Sequence, residues 1–82
     1  MKKSKQNERP LNTTARSILA TNLKKLRTLR GLSQEMLGFE AGLHRTFVGH
    51  VERGARNISI DNIEKLSDAL GVECWELLKR NE

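Results

Sequence analysis

From Leu19 onward, the apolar residues of this 82-residue chain recur with a helical period. Leu19, Leu23 and Leu26 stand at i, i+4 and i+7, which predicts a first helix from about Thr14 to Arg30, stopped by Gly31. Three later helix starts share one local device. In each, an apolar residue just before the cap pairs with another at the fourth helical position, the pattern of a hydrophobic staple. The pairs are Leu32 with Leu37 around Ser33, Leu43 with Val48 around His44, and Ile58 with Ile63 around Ser59. They predict helices at 34–41, 45–53 and 60–70. Ser33 and Ser59 are strong cap residues, and His44 is a weaker one. Ile60, Ile63, Leu66 and Leu70 form the expected buried stripe of the fourth helix, which Gly71 ends. A last short helix is expected from about Glu73 to Arg80, with Cys74, Leu77 and Leu78 toward the core and Trp75 pointing elsewhere. No alternating strand pattern or hairpin dipeptide competes, so the fold class is all-α with five short helices.

Residues 1–10, MKKSKQNERP, carry four basic side chains and, after Met1, no large apolar one. Burial there does not offset the entropy of ordering, so a flexible basic arm is expected over residues 1–12, ahead of one domain over 13–82. The arm reads either as a solvated tail or as a segment that orders along a nucleic-acid groove.

Charge sharpens this picture. Fifteen Lys and Arg against ten Asp and Glu give +5. Residues 1–56 hold twelve of the basic groups and four of the acidic ones, and residues 57–82 hold three and six. A basic part joined to an acidic part suggests one face turned toward a polyanion, where the alternative is ordinary solubility charge. A domain this small has a thin core, which disfavours an enzyme with a deep, water-excluding pocket. Cys74 is the single cysteine, which excludes an internal disulfide and a cysteine metal cluster. No run of 18 apolar residues is present, and the basic N-terminus lacks the apolar stretch of a signal peptide. A soluble cytoplasmic protein with no membrane partner is expected.

Catalytic chemistry finds no support. His44 and His50 are six apart on different faces of the third helix, Cys74 is remote, and no Gly-rich phosphate loop occurs. No enzyme, cofactor or metal site is expected, and both histidines read as surface groups.

The second and third helices meet the steric demands of a helix-turn-helix. Counting from Gln34, the fourth and eighth residues, Leu37 and Ala41, are apolar. The fifth, Gly38, is small where the second helix must pass close over the first. The ninth, Gly42, suits a turn with positive φ. Leu43, Val48 and Val51, at the tenth, fifteenth and eighteenth positions, pin the later helix to the core.

Gly31-Leu32-Ser33-Gln34-Glu35, then Ala41-Gly42-Leu43, then Val51-Glu52-Arg53-Gly54 resemble the phage-repressor (Cro/C1, Xre) type of helix-turn-helix domain. The resemblance covers about residues 16–80. The string HRTFVGHVERGARNISIDNIEKL is especially similar to controller proteins of restriction–modification systems. It implies a repressor-like five-helix fold and a homodimeric transcription regulator that binds palindromic operators. Such proteins activate endonuclease expression as they accumulate and repress when more dimers bind. Pairing of dimers on DNA and contact with the transcription machinery belong to the same expectation. A phage-type repressor or antitoxin-like autoregulator is the alternative within this class, and a protein-interaction module on the same fold is the alternative outside it.

The third helix then enters the major groove by its N-terminal residues. With Val48 and Val51 inward, the positions expected to be exposed are His44, Arg45, Thr46, Phe47, Gly49 and His50. Arg45 is the foremost candidate base reader, because its planar fork bonds guanine O6 and N7 together. A phosphate clamp is its alternative role. Thr46 offers a hydroxyl and a methyl, and Phe47 an apolar face for a thymine methyl or a sugar. Gly49 either admits close approach to DNA or is merely tolerated, and His50 is a further candidate contact. Gln34 sits at a helix N-terminus, which favours a phosphate, and the resemblance implies that role. Arg56 and Asn57 either grip the same strand or form a solvated turn. Arg27 and Glu52 border buried faces, and the resemblance implies a structural salt bridge between them. Lys24 and Lys25 read as a solvated face. Phe39 stands where the family usually has a polar residue, either exposed or covering a partner surface. Trp75, at the end of a small domain, either marks the dimer interface or folds against its own chain.

Overall fold

The computed structural model describes residues 14–80, and the arm expected over 1–12 lies outside them. The described residues form five helices and no strand: α1 (Ala15–Leu29), α2 (Gln34–Ala41), α3 (Arg45–Glu52), α4 (Ile60–Leu70) and α5 (Cys74–Leu77).

The caps explain where the helices begin. Ser33 accepts from the Met36 N–H at 3.0 Å and Ser59 from the Asn62 N–H at 3.1 Å. His44 caps α3 through its ring, Nδ1 accepting from the Thr46 N–H at 3.0 Å. Thr14 caps α1 in the same way, accepting from the Ser17 N–H. α5 has a capping box instead, in which the Glu76 side chain accepts from the Glu73 N–H at 2.9 Å.

One core gathers residues from every helix. Leu19, Leu23, Leu37, Val48, Val51, Ile63, Leu66, Leu70 and Leu77 are buried, with Leu32 and Ala41 completing the cluster. Each fully buried leucine or valine contributes about 1.5–3 kcal/mol relative to exposure.

Four features depart from the sequence pattern. Ile60, expected in the buried stripe, is 72% exposed, because the stripe of α4 runs through Ile63, Leu66, Ser67 and Leu70 and the first turn projects beyond the core. The last helix is four residues long instead of eight, and Leu78 is 41% exposed instead of core. Asn22 supplies the reason. Its buried amide nitrogen donates to the carbonyls of Leu77 at 3.0 Å and Lys79 at 2.8 Å, drawing the chain out of helical register after Leu77. α3 ends at Glu52, with Arg53 as its cap.

Candidate nucleic-acid interface

The α2–α3 unit is fixed at a single close approach. A Cβ at Gly38 would lie 2.5 Å from the Leu43 carbonyl oxygen and 3.3 Å from the Arg45 nitrogen, so only glycine lets the chain pass there. The Leu43 N–H in turn donates to the Gly38 carbonyl at 2.8 Å. Gly42, just past α2, has φ +73°, a left-handed conformation that lets the chain reverse into α3 without a Cβ penalty.

Behind α3, a polar network ties three helices. Arg27 of α1 donates from Nε to Glu52 Oε2 at 2.6 Å and from Nη2 to Oε1 at 3.1 Å, a bidentate pair. Its Nη1 donates to the Leu32 carbonyl at 2.7 Å. Gln34 of α2 donates from Nε2 to Glu52 Oε1 at 3.0 Å. The Arg27 and Glu52 side chains are only 12% and 3% exposed. The hydrogen bond to Glu52 raises the Arg27 pKa above its ordinary value, burial opposes this, and Coulombic attraction to Glu52 adds to it. The guanidinium therefore stays charged, and the network aligns α3 against α1 and α2.

On the outer side of α3, Arg45 and Thr46 are exposed and Phe47 is half-buried. The Arg56 guanidinium lies 5.2 Å from the Phe47 ring centroid, a cation–π contact that brings the post-α3 turn to the same end of the helix. Arg56 and the neighbouring Asn57 are exposed. Arg45 Nη1 also meets Glu35 Oε1 at 3.4 Å. His50 is half-buried.

Gly49 is a correction. It was expected among the exposed positions, but it is buried: Gln34 Oε1 lies 3.2 Å, and Arg53 Nη1 3.5 Å, from where its Cβ would be. The glycine makes room for Gln34 and offers no open surface. Gln34 is thus part of the protein's own network, with one of its two amide hydrogens engaged by Glu52. No group of His, Cys, Asp and Glu that could hold a metal occurs among the described residues.

Away from this face, Trp75 is 60% exposed, with Lys79 Nζ 5.7 Å from its ring centroid, and Leu78 stands nearby in the chain. Phe39 is exposed on α2. The bonds from Asn22 to the C-terminal segment and from Arg30 Nη1 to the Ala69 carbonyl at 2.9 Å were not foreseen. Both span long stretches of chain and leave no local pattern. No helix of the described residues is long and apolar enough to cross a membrane.

A tight helix pair, a solvent-facing second helix with an arginine at its start, and a buried network behind it define a helix-turn-helix DNA-binding regulator and not an enzyme. The Helix-turn-helix family (HTH_3) matches residues 23–74, and the chain belongs to it. It is 52% identical to the control protein C.BamHI of Bacillus amyloliquefaciens over 59 residues, 67% of this chain and 73% of that protein. The crystal structure of the restriction-modification controller protein C.AhdI from Aeromonas hydrophila is similar, with TM-score 0.72 and 53% identity. That match covers 73% of this chain and 91% of the other. The hypothetical transcription factor NHTF from Neisseria has TM-score 0.80 and 44% identity over 88% of this chain and 83% of its own.

Proposed function

We propose that this protein is the autoregulatory controller of a restriction–modification operon, acting in the cytoplasm as a homodimer on a palindromic operator. The observation that carries the reading is the exposed N-terminal end of α3. Arg45 and Thr46 lie there in the open, Phe47 stacks under Arg56, and α3 is held at one angle to α2 by the Gly38–Leu43 approach. Similarity to the control proteins named above supports the particular class of regulator.

In this reading Arg45 bonds a guanine edge, Thr46 and Phe47 contact neighbouring bases, and His50 lies further along the groove. Arg56 and Asn57 grip the phosphates. Gln34, with its remaining amide hydrogen and the first-turn N–H groups of α2, binds a phosphate of the same strand. Trp75 and Leu78 form the apolar part of the dimer interface, flanked by Lys79 and Glu76, whose opposite charges suit a patch that must meet its own copy. Two recognition helices about 34–36 Å apart then read half-sites one helical turn apart.

Selection from a random duplex pool at near-physiological salt tests this. Two enriched inverted half-sites, found beside methyltransferase and endonuclease genes, are the expected result. The same half-sites beside phage or toxin genes would make the chain a phage-type repressor or an antitoxin-like autoregulator. Binding without enrichment, lost as salt rises, would leave only counterion release and favour a protein-interaction module.

A further inference from the structure

We propose that Glu35 sets the specificity of Arg45: its carboxylate holds the guanidinium away from the phosphate backbone, so that Arg45 engages DNA through a guanine edge. This rests on Arg45 as the base reader.

Glu35 is the second residue of α2 and Arg45 the first of α3, and their side chains meet at 3.4 Å across the turn. The meeting is built in by the backbone. The Arg45 nitrogen and Cα lie 3.3 and 3.4 Å from the point where a Cβ at Gly38 would be, so the start of α3 is pinned against α2. Both side chains are largely exposed, 64% for Arg45 and 72% for Glu35, and such a pair contributes little to the fold. Its consequence falls on what approaches the reading face.

The two DNA targets of an arginine differ in kind. A phosphate attracts it by charge, and a nearby carboxylate offsets that attraction and repels the phosphate directly. A guanine edge is neutral and matches two parallel N–H groups to O6 and N7. Glu35 engages Nη1, which leaves the edge formed by Nε and Nη2 with its two donors. The carboxylate thus weakens the sequence-independent contact and spares the sequence-dependent one.

The test compares the native protein with Glu35→Gln, Arg45→Ala and the double variant. Each is measured on the duplex recovered from the random pool and on a scrambled duplex of equal length, across a salt series. Circular dichroism melts establish that all four proteins fold. Glu35→Gln is expected to tighten binding to the scrambled duplex about two- to fivefold while leaving the selected duplex nearly unchanged. Its salt dependence on the scrambled duplex steepens by about one unit per protomer. In the Arg45→Ala background the gain disappears. Equal tightening on both duplexes, or a gain that persists without Arg45, would overturn the proposal and leave Glu35 as a general negative charge. If Arg45→Ala itself leaves the preference for the selected duplex intact, the base-reading assignment fails and this inference with it. If that variant loses the preference while Glu35→Gln keeps it, only the role of Glu35 fails.

Discussion

Gln34 lies across Gly49. Its Oε1 stands 3.2 Å from where a Cβ at position 49 would be, and its Nε2 donates to Glu52 at 3.0 Å. A glycine in mid-helix costs about 1 kcal/mol of propensity relative to alanine. Here that cost provides the seat of an amide, and the amide gives Glu52 a second donor beside Arg27.

Substitutions at position 49 should therefore separate by size. Gly49→Ala meets only the far end of a flexible side chain, and its propensity gain opposes the crowding, so stability should change by less than about 1 kcal/mol. Gly49→Leu should expel the amide and cost about 1–3 kcal/mol. Urea titrations of the two variants decide it. Equal tolerance of both would mean that Gln34 is not seated there.

Gly38 and Gly42 are glycines for different reasons, and their variants should differ accordingly. The obstacle to Gly38→Ala is backbone, the Leu43 carbonyl, so the two helices must part; the cost is expected to reach about 3 kcal/mol and DNA binding to fall with it. Gly42→Ala meets no neighbour and carries only the left-handed penalty, about 1–2 kcal/mol. Denaturation midpoints and DNA titrations distinguish loss of helix geometry from simple strain.

The Arg27–Glu52 pair should be a stability determinant insensitive to ordinary pH on the arginine side. A base with a raised folded pKa contributes its stability fully below the unfolded pKa and loses it only as pH rises through the folded one. For Arg27 that window lies in strong alkali. Arg27→Met leaves Glu52 buried and without its bidentate partner, at an expected cost of about 3–5 kcal/mol. Arg27→Lys keeps the charge but loses the fork that reaches both Glu52 and Leu32, so it should remain clearly destabilised. A lysine variant as stable as the native protein would show that charge alone matters.

Local signals in the chain were enough for the helix starts. The staples around Ser33, His44 and Ser59 coincide with observed caps, and α2 and α4 occupy the spans that those starts predict. Gly38 and Gly42 were readable as the close approach and the turn because both demands are steric and local. What escaped the pattern depends on side chains that reach across the fold. Gly49 is buried by a residue fifteen positions earlier, and Leu78 is exposed because Asn22 captures carbonyls 55 and 57 positions later. Ile60 fits the period of α4 but lies beyond the edge of what packs on it. Periodicity identifies a face, and the extent of the neighbours decides where that face stops being core.

Phe47 and Arg56 should act on DNA as a coupled pair. The cation–π contact holds Arg56 at the end of α3 that carries Arg45. Arg56→Ala is expected to weaken binding to all sequences alike and to reduce the salt slope by about one unit per protomer. Phe47→Ala should weaken binding through the lost base contact and also through release of Arg56, so the double variant should lose less than the two single losses combined. Strict additivity in a double-mutant cycle would dissolve the coupling.

The exposed Trp75 should govern assembly. It stands 60% exposed, and Leu78, turned outward by the Asn22 bonds, adds apolar surface beside it. A buried tryptophan at the centre of an interface commonly contributes about 2 kcal/mol or more, so Trp75→Ala should weaken dimerisation by at least about thirtyfold in sedimentation equilibrium. The monomer should remain folded, because the core cluster contains neither residue. Operator binding should then become steeply dependent on protein concentration, since pairing of the protomers must be completed on the DNA. Single half-site affinity should be unchanged. If the native protein sediments as a monomer at concentrations where it binds both half-sites, the C-terminal patch is not the dimer interface, and the symmetry of the operator must come from DNA alone.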